Sequence, residues 1–305
     1  MSRNMEIDFC GVKFKNPVVT SSGTFGFGKE YNDYYDISAL GGIGVKGLTL
    51  KPRTGNPPPR VAETPSGMLN SVGLQNPGVE SFFKYVLPQL KKIDTNIIVN
   101  ISGNTMEEYC EMADIISDSG CHIIEMNVSC PNVKQGGVAF GTNPDTIYEI
   151  TNKVKKHCKI PLVVKLSPNV TDIAEMAKAA EAGGADGLSL INTLLGMSID
   201  IHKRRPILRN NVGGLSGPCV KPIAVRMVWQ VKNAVEIPLI GMGGISTGED
   251  AVEFMLAGAS LVSVGTANFV NPYAARDTVE GIEKYLDKYD IEDINYIIGK
   301  VEAWN

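Results

Sequence analysis

Eight short runs rich in β-branched and apolar residues recur along the chain: Pro17–Ser21, Ile43–Lys46, Ile97–Ile101, Ile123–Val128, Leu162–Leu166, Gly187–Ile191, Pro238–Met242 and Leu261–Gly265. Stretches of helical period separate them, among them Val79–Lys92, Met106–Ser117, Pro144–Lys156, Asp172–Ala182, Lys221–Ala234 and Gly248–Leu256, and Pro272–Tyr289 follows the last. Buried strands that alternate with helices call for a parallel sheet, and eight of them suit a closed ring. The expected fold is therefore α/β, a (β/α)8 TIM barrel, with insertions at the C-terminal face of the strands. No Gly-x-Gly-x-x-Gly follows the first run, and Gly23-Thr24-Phe25-Gly26-Phe27-Gly28 has the wrong spacing, which argues against a dinucleotide-binding Rossmann unit. The 305 residues suffice for one barrel plus insertions, and no linker or composition shift divides residues 1–305, so they read as a single domain.

Two segments are too long for simple turns. Lys51–Ser66 is proline-rich and cannot be a helix interior or a central strand. His202–Pro218 opens with His202-Lys203-Arg204-Arg205 and ends with Gly213-Gly214-Leu215-Ser216-Gly217-Pro218. Both are expected as loops at the strand C-terminal ends, where function concentrates. The basic run suits a solvated loop or a surface for a charged partner.

Charge and cysteine usage narrow the function class. A net charge of −4, from 29 Lys+Arg against 33 Asp+Glu, is unfavourable for nucleic-acid binding, which rests on phosphate neutralisation. No apolar stretch approaches the ~18 residues of a membrane span, and Met1–Glu6 lacks a signal-peptide core. The six cysteines form no Cys-x-x-Cys, so zinc and iron–sulfur spacings are missing, and a disulfide framework is not expected at this size. A cytoplasmic location is the expectation.

In a barrel, catalytic groups stand where strands end. Those ends carry Ser21-Ser22, Lys46-Gly47, Asn100, Asn127 with Cys130, Lys165, Asn192-Thr193, Gly243-Gly244 and Gly265-Thr266. They carry neither carboxylates nor histidines, which disfavours divalent-metal catalysis and a His or carboxylate base. Amides both donate and accept, so Asn70, Asn100, Asn127, Asn132 and Asn192 suit a flat, neutral heterocycle such as a pyrimidine. The glycine turns after the seventh and eighth runs suit a phosphate, because bare backbone N–H groups can approach an anion. Cys130, in Asn127-Val128-Ser129-Cys130-Pro131-Asn132, is the one cysteine at a strand top and the best-placed proton acceptor. Lys165 and Lys46 could each stabilise an anion or form a Schiff base. Glu125 lies on the same strand face as Asn127 and, if buried, needs a cation whose identity the sequence leaves open.

Met68-Leu69-Asn70-Ser71-Val72-Gly73-Leu74-Gln75-Asn76-Pro77-Gly78 and Asn127–Asn132, with Val163–Asn169, Gly213–Pro218 and Ile240–Gly244, resemble the class 1 dihydroorotate dehydrogenases, FMN-binding β/α barrels. The chain looks most similar to the catalytic subunits of their NAD-linked branch, class 1B. The resemblance implies that Cys130 takes a proton from C5 of dihydroorotate while hydride leaves C6 for FMN, and that Lys165 stabilises negative charge on the reduced flavin. It implies FMN contacts at Ser22, Lys46, Gly47, Asn100, Asn127, Lys165, Ile191, Gly217, Gly243, Gly244, Gly265 and Thr266. Substrate contacts would come from Lys46, Asn70, Ser71, Val72, Gly73, Leu74, Asn127, Asn132, Asn192 and Thr193. It further implies a homodimer core within a heterotetramer, whose partner subunit carries FAD and a 2Fe-2S cluster and passes electrons to NAD. A stand-alone fumarate-linked enzyme, a Schiff-base aldolase using Lys165 and a non-catalytic phosphate binder are the alternative readings.

Overall fold

Eight parallel strands close on themselves in the computed structural model, which describes residues 3–128 and 140–304. They are β1 (Val18–Thr20), β2 (Gly42–Leu48), β3 (Asn96–Ile101), β4 (Ile123–Asn127), β5 (Leu162–Lys165), β6 (Gly187–Leu190), β7 (Leu239–Met242) and β8 (Leu261–Val264). Each pairs with its neighbours in chain order, and β8 pairs with β1, so the expected barrel is present. Their residues are buried almost throughout, as strands enclosed by helices must be.

Four of the barrel helices start where side chains satisfy free N–H groups. Thr105, Asn143 and Asp172 cap Met106–Ser117, Pro144–Lys155 and Ile173–Ala182, each accepting from a backbone N–H of the first turn. Thr247 and Asp250 form a reciprocal capping box on Gly248–Ala257. Segment 79–90 is helical as expected, but residues Phe82–Val86 form a π-helical turn between two α-helical pieces.

A hairpin of Ile7–Phe9 and Val12–Phe14 closes the N-terminal end of the barrel. Phe9 and Phe14 are fully buried and meet edge to face, with centroids 6.3 Å apart. Burial of each ring contributes about 1.5–3 kcal/mol.

The two insertions are more ordered than loops. Leu194–Gly196, Gly213–Ser216, Gly67–Asn70 and Val61–Thr64 pair, in that order, as an antiparallel four-stranded sheet. Ile199–Asp200 and Arg205–Pro206 form a small hairpin, and His202–Arg204 lie exposed in its turn. Val61–Thr64 is an edge strand, which explains how it can follow three consecutive prolines. Among the described residues, no helix is long and apolar enough to cross a membrane.

Helices Gly248–Ala257 and Ala274–Lys288 pack backbone to backbone. A Cβ on Gly281 would fall 2.8 Å from Gly248 Cα. Gly281→Ala is expected to force the helices apart and cost about 1–3 kcal/mol, read as a lowered Tm in thermal unfolding; an unchanged Tm would contradict this packing.

Candidate active site

Strand β4 alternates Ile123, Glu125 and Asn127 on one face, and register places Asn100 of β3 beside Glu125 and Lys165 of β5 beside Asn127. Ser189 of β6 lies beside Lys165. Glu125 is 4% exposed and Lys165 5%. Asn100 Nδ2 donates to Glu125 Oε2 at 2.6 Å, and Ser189 Oγ donates to Glu125 Oε1 at 2.7 Å. Lys165 Nζ stands 3.6 Å from Glu125 Oε2. The cation that Glu125 needs is thus Lys165, and each group offsets the desolvation of the other. Removing one partner of such a pair typically costs about 3–5 kcal/mol.

Lys46 is held differently. Val45 of β2 pairs with Val99 and Leu48 with Ile101, so β2 carries one extra residue and a bulge at Lys46–Gly47. Bulges at barrel rims re-aim side chains. Lys46 Nζ lies within 3.5 Å of where a Cβ on Gly23 would be. It has no carboxylate partner among the described residues. Burial, with the Arg60 guanidinium as a second cause, pushes its pKa below the ordinary lysine value. An anion arriving beside it would offset that cost.

An amide wall joins the inserted sheet to the barrel. Asn192 Nδ2 donates to Asn127 Oδ1 at 3.2 Å, and the Thr193 backbone N–H donates to Asn192 Oδ1 at 2.8 Å. A Cβ on Gly214 would collide with Thr193 Oγ1. Asn70 Nδ2 donates to the Gly214 carbonyl at 3.4 Å. Segment 70–76 is pinned from outside: the Asn56 N–H donates to the Val72 carbonyl and Asn56 Nδ2 to the Ser71 carbonyl, both at 2.9 Å. Gly73 and Leu74 have φ of 76° and 55°. Ser71 Oγ is buried without a partner among the described residues.

The glycine turns form a second wall. Gly217, Gly243 and Gly244 have φ of 104°, 128° and 86°, a region that favours glycine. Added Cβ atoms would fall 2.8 Å from the Gly217 carbonyl at Gly244 and 3.3 Å from Ile191 Cγ1 at Gly243. Thr266 Oγ1 donates to Ser216 Oγ at 2.8 Å, and a Cβ on Gly265 would approach Ser21 Oγ to 3.2 Å. Ser22 lies close by, its N 3.4 Å from a Cβ built on Gly44. Asp250 Oδ2 already takes the N–H groups of Ser246 and Thr247, at 2.9 and 3.0 Å, so that end of the turn is closed to an anion. The open backbone lies at Gly243–Gly244.

These walls fit a flat ring bearing a phosphate. Gly47 leaves room over Asn100, where a Cβ would sit 2.7 Å from Oδ1. The donor set comprises two ammonium groups, amides and glycine backbone. The sequence-predicted residues on β2 to β8 and segment 70–74 come together at the strand C-terminal ends, except Cys130 and Asn132, which lie outside the described residues. Ser189 and Ser216 were not anticipated, and their signal was only the alternation of each strand. A cleft of about 720 Å³ lined by Lys13, Lys15, Lys91 and His122 lies at the opposite end of the barrel, away from this chemistry.

Residues 4–286 match the family model described as dihydroorotate dehydrogenase. A protein of Alkaliphilus oremlandii named dihydroorotate dehydrogenase B (NAD(+)), catalytic subunit, is 61% identical over 299 residues, covering 98% of this chain and 99% of that one. A protein of the same name from Desulforamulus reducens is 58% identical over 300 residues, with 98% and 99% covered. The crystal structure of DHODH from Eimeria tenella in complex with ferulenol superposes with a TM-score of 0.81 at 23% identity, over 97% of this chain and 88% of that one, which is a likeness of fold.

Gly244→Ala places a Cβ at positive φ and against the Gly217 carbonyl. It is expected to cost more than ~1 kcal/mol and to displace the Gly217 turn, measurable as a lower Tm; a stable, unshifted variant would refute the packed glycine wall.

Proposed function

The chain belongs to the dihydroorotate dehydrogenase family, and from that membership we propose that it oxidises (S)-dihydroorotate to orotate in pyrimidine synthesis, with FMN as its bound cofactor. The observation that carries this reading is Lys46, a half-buried ammonium without a carboxylate partner among the described residues, at the mouth that also holds an amide wall and a glycine wall. FMN supplies the acceptor for the two electrons that leave C6 with a hydrogen.

This chain's residues bind, orient and move the proton. Cys130 takes the C5 proton as thiolate and becomes a thiol; its place in the sequence, three residues after the last residue of β4, supports this role. Lys46 binds the substrate carboxylate. Asn70, Asn127, Asn132, Asn192 and Thr193 hold the pyrimidine edge, with Ser71, Val72, Gly73 and Leu74 along its other side. Ser22, Gly47, Asn100, Ile191, Gly217, Gly243, Gly244, Gly265 and Thr266 hold FMN, the glycine turns taking its phosphate. Lys165 places positive charge at the flavin ring.

The names of the relatives, with NAD(+) and catalytic subunit, support the NAD-linked branch. Electrons would then pass to a partner subunit with FAD and a 2Fe-2S cluster, around a homodimer of this chain in the cytoplasm. The visible spectrum of the purified chain, followed by anaerobic dihydroorotate, tests the reading. A flavin spectrum that bleaches on addition is expected; a colourless protein, or flavin unaffected by substrate, would overturn it. Assays with fumarate, and with NAD plus the partner, separate the acceptors.

Cys130→Ala is expected to slow flavin reduction ~10²–10⁴-fold with FMN retained, in anaerobic stopped-flow; an unchanged rate removes Cys130 from the chemistry. Lys46 ionises at lower pH than an exposed lysine, so its charge disappears sooner as pH rises. Orotate binding should weaken with rising pH before the range near 10.4 where free lysine titrates. Lys46→Met should abolish that dependence and weaken binding about 10–100-fold, the worth of a charge-assisted hydrogen bond of ~1.5–3 kcal/mol. Difference-spectrum titration of orotate across pH checks both.

A further inference from the structure

Glu125 is buried inside the barrel, and the proposed reaction gives it no task. An ionised carboxylate has only acceptors. Asn100 must therefore turn its amide nitrogen to Glu125 Oε2, at 2.6 Å, and its Oδ1 consequently lies on the Gly47 side, 2.7 Å from where a Cβ would be. The single hydrogen of Ser189 Oγ is spent on Oε1 at 2.7 Å. Oε2 also faces Lys165 Nζ at 3.6 Å. One carboxylate thus fixes two neighbours: an acceptor on Asn100 and a cation on Lys165.

We propose that Glu125 is a positioning residue for the flavin, acting through Asn100 and Lys165 to set an acceptor beside a positive charge at the cofactor ring. The inference rests on the reading of the site as an FMN site. The pyrimidine end of an isoalloxazine has the matching chemistry, an N–H donor flanked by carbonyl oxygens and a nitrogen on which negative charge grows upon reduction. A neutral residue in place of Glu125 removes the counter-charge of a nearly fully buried ammonium. It also frees the Asn100 amide to flip. An architectural carboxylate would act on the barrel without changing the ring's electronic environment.

The test uses the full chain, stripped of FMN and reloaded, with the isosteric variant Glu125→Gln. FMN affinity is read by fluorescence quenching, and the flavin midpoint potential by dye-equilibrated anaerobic titration. Glu125→Gln is expected to weaken FMN about tenfold. It should also lower the potential by about 30 mV, the equivalent of tenfold for a two-electron couple, because the ammonium is no longer held at the ring. Glu125→Gln/Lys165→Met should have the potential of Lys165→Met alone. An unchanged potential and affinity in Glu125→Gln would overturn the proposal. So would a raised potential in both backgrounds, which would mean that the carboxylate acts through space without Lys165. If Glu125→Gln does not fold, the double variant, free of an uncompensated charge, is expected to fold and take up FMN. Failure of the double variant as well would make Glu125 a residue of the barrel alone and would also overturn the proposal. Wild-type chain that takes up no FMN would sink the functional reading itself, whereas wild type that loads beside an unresponsive Glu125→Gln sinks only the role of Glu125.

Discussion

A closed parallel barrel must fill its interior with its own side chains, and in this chain the filling changes character halfway up. Near the N-terminal end the inward residues Ile98 and Ile123 are apolar, and Phe9 seals the floor. One row higher on β3 and β4 stand Asn100 and Glu125, and above them on β4 to β6 come Asn127, Lys165 and Ser189. Charge enters a dry interior only if every group finds a partner. Glu125 meets that condition with an amide, a hydroxyl and an ammonium. The upper floor of the barrel is therefore polar and fixed in orientation before any ligand arrives, which is the condition for a preorganised site.

The rim depends on a second constraint, the close approach of backbones. The inserted sheet brings Gly214 so near Thr193 that any side chain would collide, and Gly217 so near Gly244 that the carbonyl of one occupies the Cβ position of the other. These contacts link the ends of β6 and β7 to the insertion that follows β6, which in turn pairs with the insertion that follows β2. The walls of the site are thus built largely from main chain. Their geometry is set by glycine's freedom at positive φ, as at Gly217, Gly243 and Gly244.

What the sequence exposed and what it hid follow from the range of the interactions. All eight barrel strands were legible because their apolar runs are local signals, and the long helices because each has a helical period. The inserted sheet was not. Gly213-Gly214 has poor strand propensity, and it forms a strand only because Gly67–Asn70 and Leu194–Gly196 flank it, which no local pattern reports. The strand-end inventory named Lys46, Asn100, Asn127, Lys165 and Asn192, and the structure brings them to one end of the barrel because strand termini point to the mouth. It could not find the partner of Glu125, since Lys165 lies on the next strand, 40 positions on. Nor could it see the bulge that aims Lys46, a matter of pairing count between β2 and β3. Nor does any local pattern report that Asp250 consumes the N–H groups of Ser246 and Thr247.

The two lysines illustrate how one residue type takes two tasks. Lys165 ends β5 and is buried, whereas Lys46 stands half-buried at the bulge of β2, and for both the loss of water must be offset. For Lys165 the offset is internal, in Glu125, and it is present without a ligand. For Lys46 the charge that adds to burial is Arg60, another cation, which deepens the deficit. An incoming carboxylate therefore gains more beside Lys46 than beside Lys165, because at Lys46 it relieves an existing cost while at Lys165 it competes with Glu125. This asymmetry gives the mouth a direction. A ligand that is neutral at one end and anionic at the other has its anionic end drawn to β2 and its amide-like edge to the wall of Asn127, Asn192 and Asn70. A neutral pyrimidine without the carboxylate would leave Lys46 uncompensated, so discrimination against it arises from the protein's own unpaired charge and needs no steric exclusion.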